Sequence, residues 1–72
     1  MEIRDIKPKY RIGDTFRENG TRGYGWWRVD EIEIGVIEPI YTLSFRPIGN
    51  ICITRSESAL DENYHVTTIS NL

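Results

Sequence analysis

The sequence predicts an all-β domain of five short strands, with one short helical or 3₁₀ turn before the last strand. Three observations predict this class: β-branched and aromatic residues dominate, turn signals recur about every ten residues, and no segment sustains a helical period. The chain has 72 residues, the length of a single domain. We therefore expect one domain over residues 9–72, preceded by an N-terminal arm over residues 1–8.

The first strand is predicted over residues 10–17, "YRIGDTFR". Ile12 and Phe16 are its expected core contacts. The segment that follows contains Asn19-Gly20, Gly23 and Gly25, and glycine reaches positive φ without steric cost. This segment is therefore predicted to be a flexible loop.

The second strand, residues 26–34 or "WWRVDEIEI", has a break in its alternation. Two apolar pairs fall on opposite faces of a regular strand: Trp27 with Val29, and Ile32 with Ile34. One extra residue near Asp30 or Glu31, a β-bulge, would turn all four side chains inward and bend the strand.

The position of the bulge decides which tryptophan is exposed. With the bulge, Trp27 is buried and Trp26 faces outward beside Arg28. Without it, Trp26 is buried together with Ile32 and Ile34, and Trp27 faces outward. We favour the first arrangement, and the second stays open at this point.

The third strand, residues 40–46 or "IYTLSFR", alternates regularly. The residues expected to point inward are Tyr41, Leu43 and Phe45, and those expected to point outward are Thr42, Ser44 and Arg46. Residues 47–50 are predicted to form a tight hairpin turn, because Pro47 fixes φ and Gly49 can take a left-handed conformation.

The C-terminal part is predicted to contain a strand, a helical turn and a closing strand. In residues 50–54, Ile51 and Ile53 are expected inward and Cys52 outward. Residues 56–63 read as one helical or 3₁₀ turn, with Ser56 or Ser58 as its cap and Leu60 closing the end of the barrel. The last strand is expected over residues 64–69, "YHVTTI".

Residues 9–70 resemble an SH3-like small β-barrel in their five short strands, bent second strand and helical turn before the fifth. "IGDTFRENG" is similar to the opening of KOW-type barrels, and "WWRVDEI" looks like the second strand of Tudor domains. Type II plasmid dihydrofolate reductases share this barrel, but their pore motif has no counterpart here. The resemblance implies a fold that hosts many unrelated functions.

Charge is distributed unevenly along the chain. The formal net charge is -2, with seven basic and four acidic residues (+3) in positions 1–28 and two basic and seven acidic (-5) in positions 29–72. The single cysteine, Cys52, excludes an internal disulfide and fits a reducing compartment. No stretch approaches the roughly 20 apolar residues of a membrane span, and we expect a cytoplasmic protein.

A candidate binding surface consists of Arg22, Tyr24, Trp26 and Arg28. Aromatic faces stack on bases or surround cations, and guanidinium groups bind phosphate or carboxylate in a fork. Exposed Trp and Arg are also typical of the residues that contribute most to protein interfaces. The alternative is that Trp26 packs across the barrel surface or against the N-terminal arm, with Tyr24 as its neighbour.

A candidate oligomer contact lies in residues 34–40, "IGVIEPI", where Val36, Ile37 and Ile40 fall in or near a connection. An exposed apolar connection suits contact with a second copy. Equally, the second strand could extend to Ile37 and place these side chains in the core.

The remaining charged and reactive residues have simpler interpretations. The acidic residues Asp30, Glu31, Glu33 and Glu38 are expected to form a solvated outer face. Cys52 and His65 fall on the fourth and fifth strands, which this kind of barrel does not usually pair, so neither a metal site nor a Cys-His dyad is expected. No cofactor is expected.

We therefore expect a non-enzymatic binding module that docks on a larger protein through Arg22, Tyr24, Trp26 and Arg28, with a homo-oligomer as a further option. A small stand-alone binding domain of this size is typical of accessory proteins of phages and mobile elements that modulate host machinery. The first alternative is a nucleic-acid binder that adds Lys7, Lys9 and Arg11 to the cluster. The second is an oligomeric enzyme subunit, which no residue pattern supports.

Overall fold

A computed structural model describes residues 7–67, which form one antiparallel sheet and one helix. The elements are β1 (Thr15–Glu18), β2 (Trp26–Ile34), β3 (Pro39–Arg46), β4 (Cys52–Ser56), α1 (Glu57–Asn63) and β5 (Tyr64–Val66). The strand order is β4-β3-β2-β1-β5, so the sheet is open, with β4 and β5 at opposite edges. The all-β class and the helical turn before the last strand are confirmed, whereas closure into a barrel is not.

The bulge predicted in β2 is present at Asp30. Val29 pairs with Leu43 and Glu31 pairs with Thr42, so two residues of β2 span a step that β3 makes in one. Because this extra residue resets the alternation, Ile32 follows Val29 onto the same face of the sheet. The expectation that Ile34 also enters the core is wrong: its side chain, at the last residue of β2, is 54% exposed.

The core lies between one face of the sheet and α1. Among the described residues, its buried members are Phe16, Val29, Tyr41, Leu43, Leu60 and Tyr64, and the partly buried residues packed against them are Tyr10, Trp27, Ile32 and Ile53. Leu60 is the buried residue of α1 and covers the sheet, but its expected place at the end of a closed barrel is not confirmed, because the sheet is open. A small core is normal for a domain of this size.

The first strand begins later than expected, at Thr15, because residues 11–14 form a turn. Asp14 caps this turn by accepting a hydrogen bond from the Arg11 amide at 2.9 Å, and the Gly13 amide bonds the Val29 carbonyl at 2.9 Å. Ile12 is therefore 61% exposed, and its expected core position is wrong. Tyr10 takes that place, with its ring edge-on to Phe16 at 4.8 Å between centroids.

The fourth strand is shifted by two residues toward the C-terminus, from residues 50–54 to Cys52–Ser56. Ile51 consequently precedes the strand and is 47% exposed, so the prediction of a buried Ile51 is wrong. Ile53 packs against the core and Cys52 is exposed, as expected. The last strand runs from Tyr64 to Val66, and its predicted continuation at residues 68 and 69 lies outside the described residues.

A polar network joins the N-terminal segment to α1 on the core side of the sheet. Glu57 accepts hydrogen bonds from the Lys9 amide (2.9 Å) and the Tyr41 hydroxyl (2.6 Å). Asp61 accepts a hydrogen bond from the Tyr10 hydroxyl and forms a 3.1 Å ion pair with Lys9. Burial and these carboxylates raise the pKa values of Tyr10 and Tyr41 to about 12, while the Tyr10 and Lys9 hydrogen bonds lower the pKa of Asp61.

Candidate binding surface

The face of the sheet opposite α1, here called the outer face, brings together residues from three central strands. The pairing places Arg28 between Thr15 of β1 and Ser44 of β3, and Trp26 beside Arg46. Because side chains directly opposite in neighbouring strands share a face, all of these residues lie on the side that the helix does not cover. The structure thus confirms the outward position of Trp26 and the inward position of Trp27.

The two tryptophans differ in their surroundings. Trp26 is 42% exposed. Trp27 packs against the core and meets Phe45 in an edge-to-face contact, with 5.0 Å between ring centroids. The arrangement without a bulge, with Trp26 in the core, is excluded.

Trp26 stands between two arginines in a row across the sheet. Phe16 pairs with Trp27, so the next residue on β1, Arg17, falls beside Trp26, and Arg46 of β3 lies on its other side. We call Arg17, Trp26 and Arg46 the Arg-Trp-Arg row. Among residues 7–67, neither of these two arginines forms an ion pair. Nη2 of Arg17 donates to the Gly23 carbonyl, and the Arg46 guanidinium lies near Gly49 in the β3–β4 turn.

Arg28 differs from the row arginines because it has a partner on its own strand. Its Nη1 lies 2.8 Å from Oδ1 of Asp30, the bulge residue, and both side chains are partly exposed. An exposed pair of this kind contributes little to stability, typically about 0 to 1 kcal/mol. Arg28 therefore remains available to an incoming group at the cost of exchanging its carboxylate partner.

Two buried polar atoms beside the row have no hydrogen-bond partner. They are Oγ of Ser44, which is fully buried, and Nε of Arg46, two residues further along β3 on the same face. The alternation of β3 predicted that Ser44 points outward, and its pairing with Arg28 does place it on the outer face. Its side chain is nevertheless fully buried, so it is not exposed to solvent as an outward residue would be. Buried polar groups without a partner are uncommon in folded proteins.

A groove of about 550 Å³ opens on the outer face beside Trp26. It is lined by Thr15, Arg17, Gly23, Tyr24, Gly25, Trp26 and Thr67. The threonine hydroxyls bond each other at 2.9 Å, and an Arg17 Nη2 donates to the Gly23 carbonyl at 2.7 Å, which ties β1 to the β1–β2 loop. The groove therefore presents aromatic, guanidinium and hydroxyl groups together.

The β1–β2 loop carries the other two predicted site residues. Tyr24 lines the groove together with Trp26 and is 96% exposed. Arg22 is exposed and forms no ion pair among the residues that the structure describes. The loop joins β2 at Gly25, where φ is +101° and a Cβ atom would lie 2.3 Å from the Phe45 ring.

The candidate oligomer contact lies at the opposite end of β2. Val36 and Ile37 are 97% and 86% exposed, so the interpretation that they complete the core is excluded for both. Ile40 is partly buried and lines a small concavity of about 360 Å³ with Gly35 and Glu38. These apolar side chains form a separate patch from the outer-face groove.

The acidic residues divide into groups with different contacts. Asp30 pairs with Arg28, and Glu38 accepts hydrogen bonds from the Ser58 amide and hydroxyl at 2.7 and 2.9 Å. Glu31 and Glu33 are exposed, and their pairing with Thr42 and Ile40 places them further along the outer face. The outer face is thus basic at the Trp26 end and acidic beyond the bulge.

Cys52 and His65 lie on β4 and β5, at opposite edges of the sheet. Nδ1 of His65 is 2.7 Å from Oδ1 of Asn19, a contact that fixes the start of the β1–β2 loop to β5. No group of three or more potential metal ligands occurs among residues 7–67. The described chain also has no helix of the length and hydrophobicity that would cross a bilayer.

The sequence pattern suggested Trp26, Arg28, Tyr24 and Arg22 as candidates, and it did not suggest that Arg17 and Arg46 lie on the strands beside Trp26. The alternation along each strand predicted the face of the sheet on which these two arginines lie: Arg17 follows the inward Phe16, and Arg46 was predicted to point outward. The relative register of β1, β2 and β3 brings them together, and no local pattern specifies that register.

Comparison with known proteins adds no identification. No family model matches the chain, and no curated protein or solved structure matches it significantly.

Proposed function

We propose that the protein is a small non-enzymatic binding module of SH3-like type, which docks on a larger protein through its outer face. The contact residues are Arg22, Tyr24, Trp26 and Arg28, joined by Arg17 and Arg46. The strand order and the helix before the last strand support this fold type. An accessory role, in which docking modulates the partner, fits a domain of this size.

The observation that carries this proposal is the half-exposed indole of Trp26 between two arginines without carboxylate partners. A large aromatic side chain costs free energy when it is left in water, and burying it in a complex recovers that free energy. Trp and Arg are the residue types that most often dominate protein interfaces. The groove beside Trp26 is a concave surface that a side chain of the partner can fill.

The position of Lys9 favours a protein partner over nucleic acid. Lys9 pairs with Asp61 on the core side of the sheet, away from Trp26. Glu31 and Glu33 lie on the outer face beyond the bulge, where they would repel phosphates. The basic area is therefore short, whereas a nucleic-acid strand is held by several successive phosphate contacts.

Affinity capture with matched variants tests the proposal. Wild type, Trp26→Ala and Val36→Ala are used in parallel to capture proteins from the native source, with circular dichroism confirming that all three are folded. We expect wild type and Val36→Ala to capture the same partner in similar amounts. Trp26→Ala should capture roughly tenfold less of it or still less, since tryptophans at the centre of an interface contribute strongly to the binding free energy. Equal capture by all three proteins would show that the outer face is not the docking surface.

A further inference from the structure

The proposed docking face contains a subsite whose chemistry points to a particular kind of partner segment. Arg17 and Arg46 lie on the two strands that flank Trp26, one strand spacing away on either side. Neither has a carboxylate partner among the described residues, although Lys9 and Arg28 do. Two arginines without carboxylate partners thus lie on the strands to either side of Trp26.

The side-chain donors of Arg46 give further support. Nε of Arg46 is buried without an acceptor, so this donor of the guanidinium group is unsatisfied. A carboxylate accepts several hydrogen bonds at once and suits a guanidinium group with an unsatisfied donor. The Ser44 hydroxyl is also without a partner, but it is fully buried and does not line the groove, so it is not part of the subsite.

We infer that Arg17 and Arg46 form an anion subsite beside Trp26, and that its ligand is a carboxylate-bearing, acidic segment of the partner protein. The guanidinium groups bind side-chain carboxylates in charge-assisted hydrogen bonds, and an apolar group of the same segment packs on Trp26 in the groove. This inference rests on the proposed docking function and names the chemistry of its partner.

The charge pattern of the outer face selects a peptide over a longer polyanion. Glu31 and Glu33 follow the bulge on the same face, so the positive area ends within a few residues of Trp26. A segment that is acidic where it meets the row, and neutral or basic where it meets these glutamates, complements the whole face. A nucleic acid carries a phosphate at every step and would meet both glutamates.

The subsite can be tested with defined probes and one reporter. Trp27→Phe leaves Trp26 as the remaining tryptophan, so its fluorescence reports binding directly. The probes are a short synthetic peptide of alternating glutamate and glycine, the same peptide with glutamine replacing glutamate, and an oligothymidylate, each titrated at low salt. We expect the glutamate peptide to bind and the glutamine peptide to bind at least about tenfold more weakly.

Variants on the same reporter background assign the effect to the subsite. Arg17→Gln and Arg46→Gln should each weaken the affinity for the glutamate peptide about fivefold or more. Arg46→Lys should lose less affinity than Arg46→Gln, because it keeps the positive charge. Arg55→Gln is the matched control, because Arg55 is an exposed arginine on edge strand β4 and should leave binding unchanged. Thermal melts confirm that each variant is folded.

Three outcomes would overturn the inference: equal binding of both peptides, glutamate binding that ignores Arg17 and Arg46, or tighter binding of oligothymidylate. Failure here is distinct from failure of the docking proposal. If the captured partner is lost with Trp26→Ala but retained by Arg17→Gln and Arg46→Gln, docking stands and the anion subsite does not. If Trp26→Ala retains the partner, the docking face itself is wrong.

Discussion

At the scale of single residues, Trp26 and Trp27 show how position separates two identical side chains. Trp27 contacts Phe45 and the buried core, whereas Trp26 is half-exposed on the outer face, on a strand flanked by those of Arg17 and Arg46. Truncating Trp27 leaves a void next to the core, whereas truncating Trp26 removes a side chain that water already reaches. The two positions should therefore separate stability from binding.

We expect Trp27→Ala to lower the free energy of unfolding by about 2 to 3 kcal/mol, because it removes a partly buried ring from a small core. Trp26→Ala should cost at most about 1 kcal/mol, as is usual for surface positions. Urea denaturation followed by circular dichroism measures both. A larger loss for Trp26→Ala than for Trp27→Ala would mean that the inward and outward positions are reversed.

Gly25 is a second residue whose role is local and steric. Its φ of +101° is unfavourable for any residue with a side chain, and a Cβ there would lie 2.3 Å from Phe45 and 3.0 Å from the Arg46 carbonyl. Gly23 has a similar φ of +106° with no atom within 4 Å of a Cβ. These two glycines make a matched pair.

Gly23→Ala should lower the free energy of unfolding by about 1 kcal/mol, from backbone strain alone. Gly25→Ala carries the same strain and also the clash with Phe45, so we expect a loss of about 3 kcal/mol or more. Chemical denaturation of both variants provides the comparison. Equal losses would show that Gly25 does not pack against Phe45.

At the scale of elements, α1 connects β4 to β5 and covers the sheet through Leu60. Its N-cap is Ser56, whose Oγ accepts a hydrogen bond from the Ala59 amide at 3.3 Å. Its acidic residues Glu57 and Asp61 receive the hydrogen bonds of Lys9, Tyr10 and Tyr41. A short helix of this kind depends on its cap and its packing more than on intrinsic propensity.

Ser56→Ala should therefore lower the free energy of unfolding by about 1 kcal/mol, since one amide of the first turn loses its acceptor. Ser56→Asp keeps an acceptor at the N-cap and should retain most of the stability. Thermal melts of the two variants distinguish capping from other effects of substitution. If Ser56→Asp is as damaging as Ser56→Ala, the cap does not contribute as described.

The accuracy of sequence reasoning also varied by element. The bounds of β2, its bulge and the inward Leu60 were predictable, because long alternating runs and a helical turn leave strong local patterns. Ile12 and Ile51 were misplaced because each lies just before a strand, where a turn or loop overrides the alternation. The positions of Arg17 and Arg46 on the strands beside Trp26 were not predicted, because the register between strands is set only in the assembled sheet.

At the scale of the whole molecule, the polar network between residues 9–10 and α1 makes stability depend on pH. The pKa values of Tyr10 and Tyr41 are raised to about 12 in the folded state, above their ordinary value of 10.0. A raised folded-state pKa favours folding while the hydroxyl is protonated, so this contribution is complete below pH 10 and lost between about pH 10 and 12. For Asp61 the pKa is lowered, so its contribution is lost in acid.

We expect the free energy of unfolding to fall as pH rises from about 10 to 12, because the unfolded tyrosines release their protons first. The double variant Tyr10→Phe/Tyr41→Phe removes both hydroxyls and should show a shallower decline over the same range. Urea titrations at stepped pH give the two slopes. Parallel slopes would exclude the tyrosine network as the origin.

Quenching of single-tryptophan variants measures the exposure of Trp26 near arginines that have no carboxylate partner. Trp27→Phe reports Trp26, and Trp26→Phe reports Trp27. We expect long-wavelength emission for Trp26 and stronger quenching by the anion iodide than by the cation caesium, because the guanidinium groups attract the anion. Trp27 should emit at shorter wavelength and resist both quenchers. A shielded Trp26, or one quenched more strongly by caesium, would show that Trp26 does not lie exposed near positive charge.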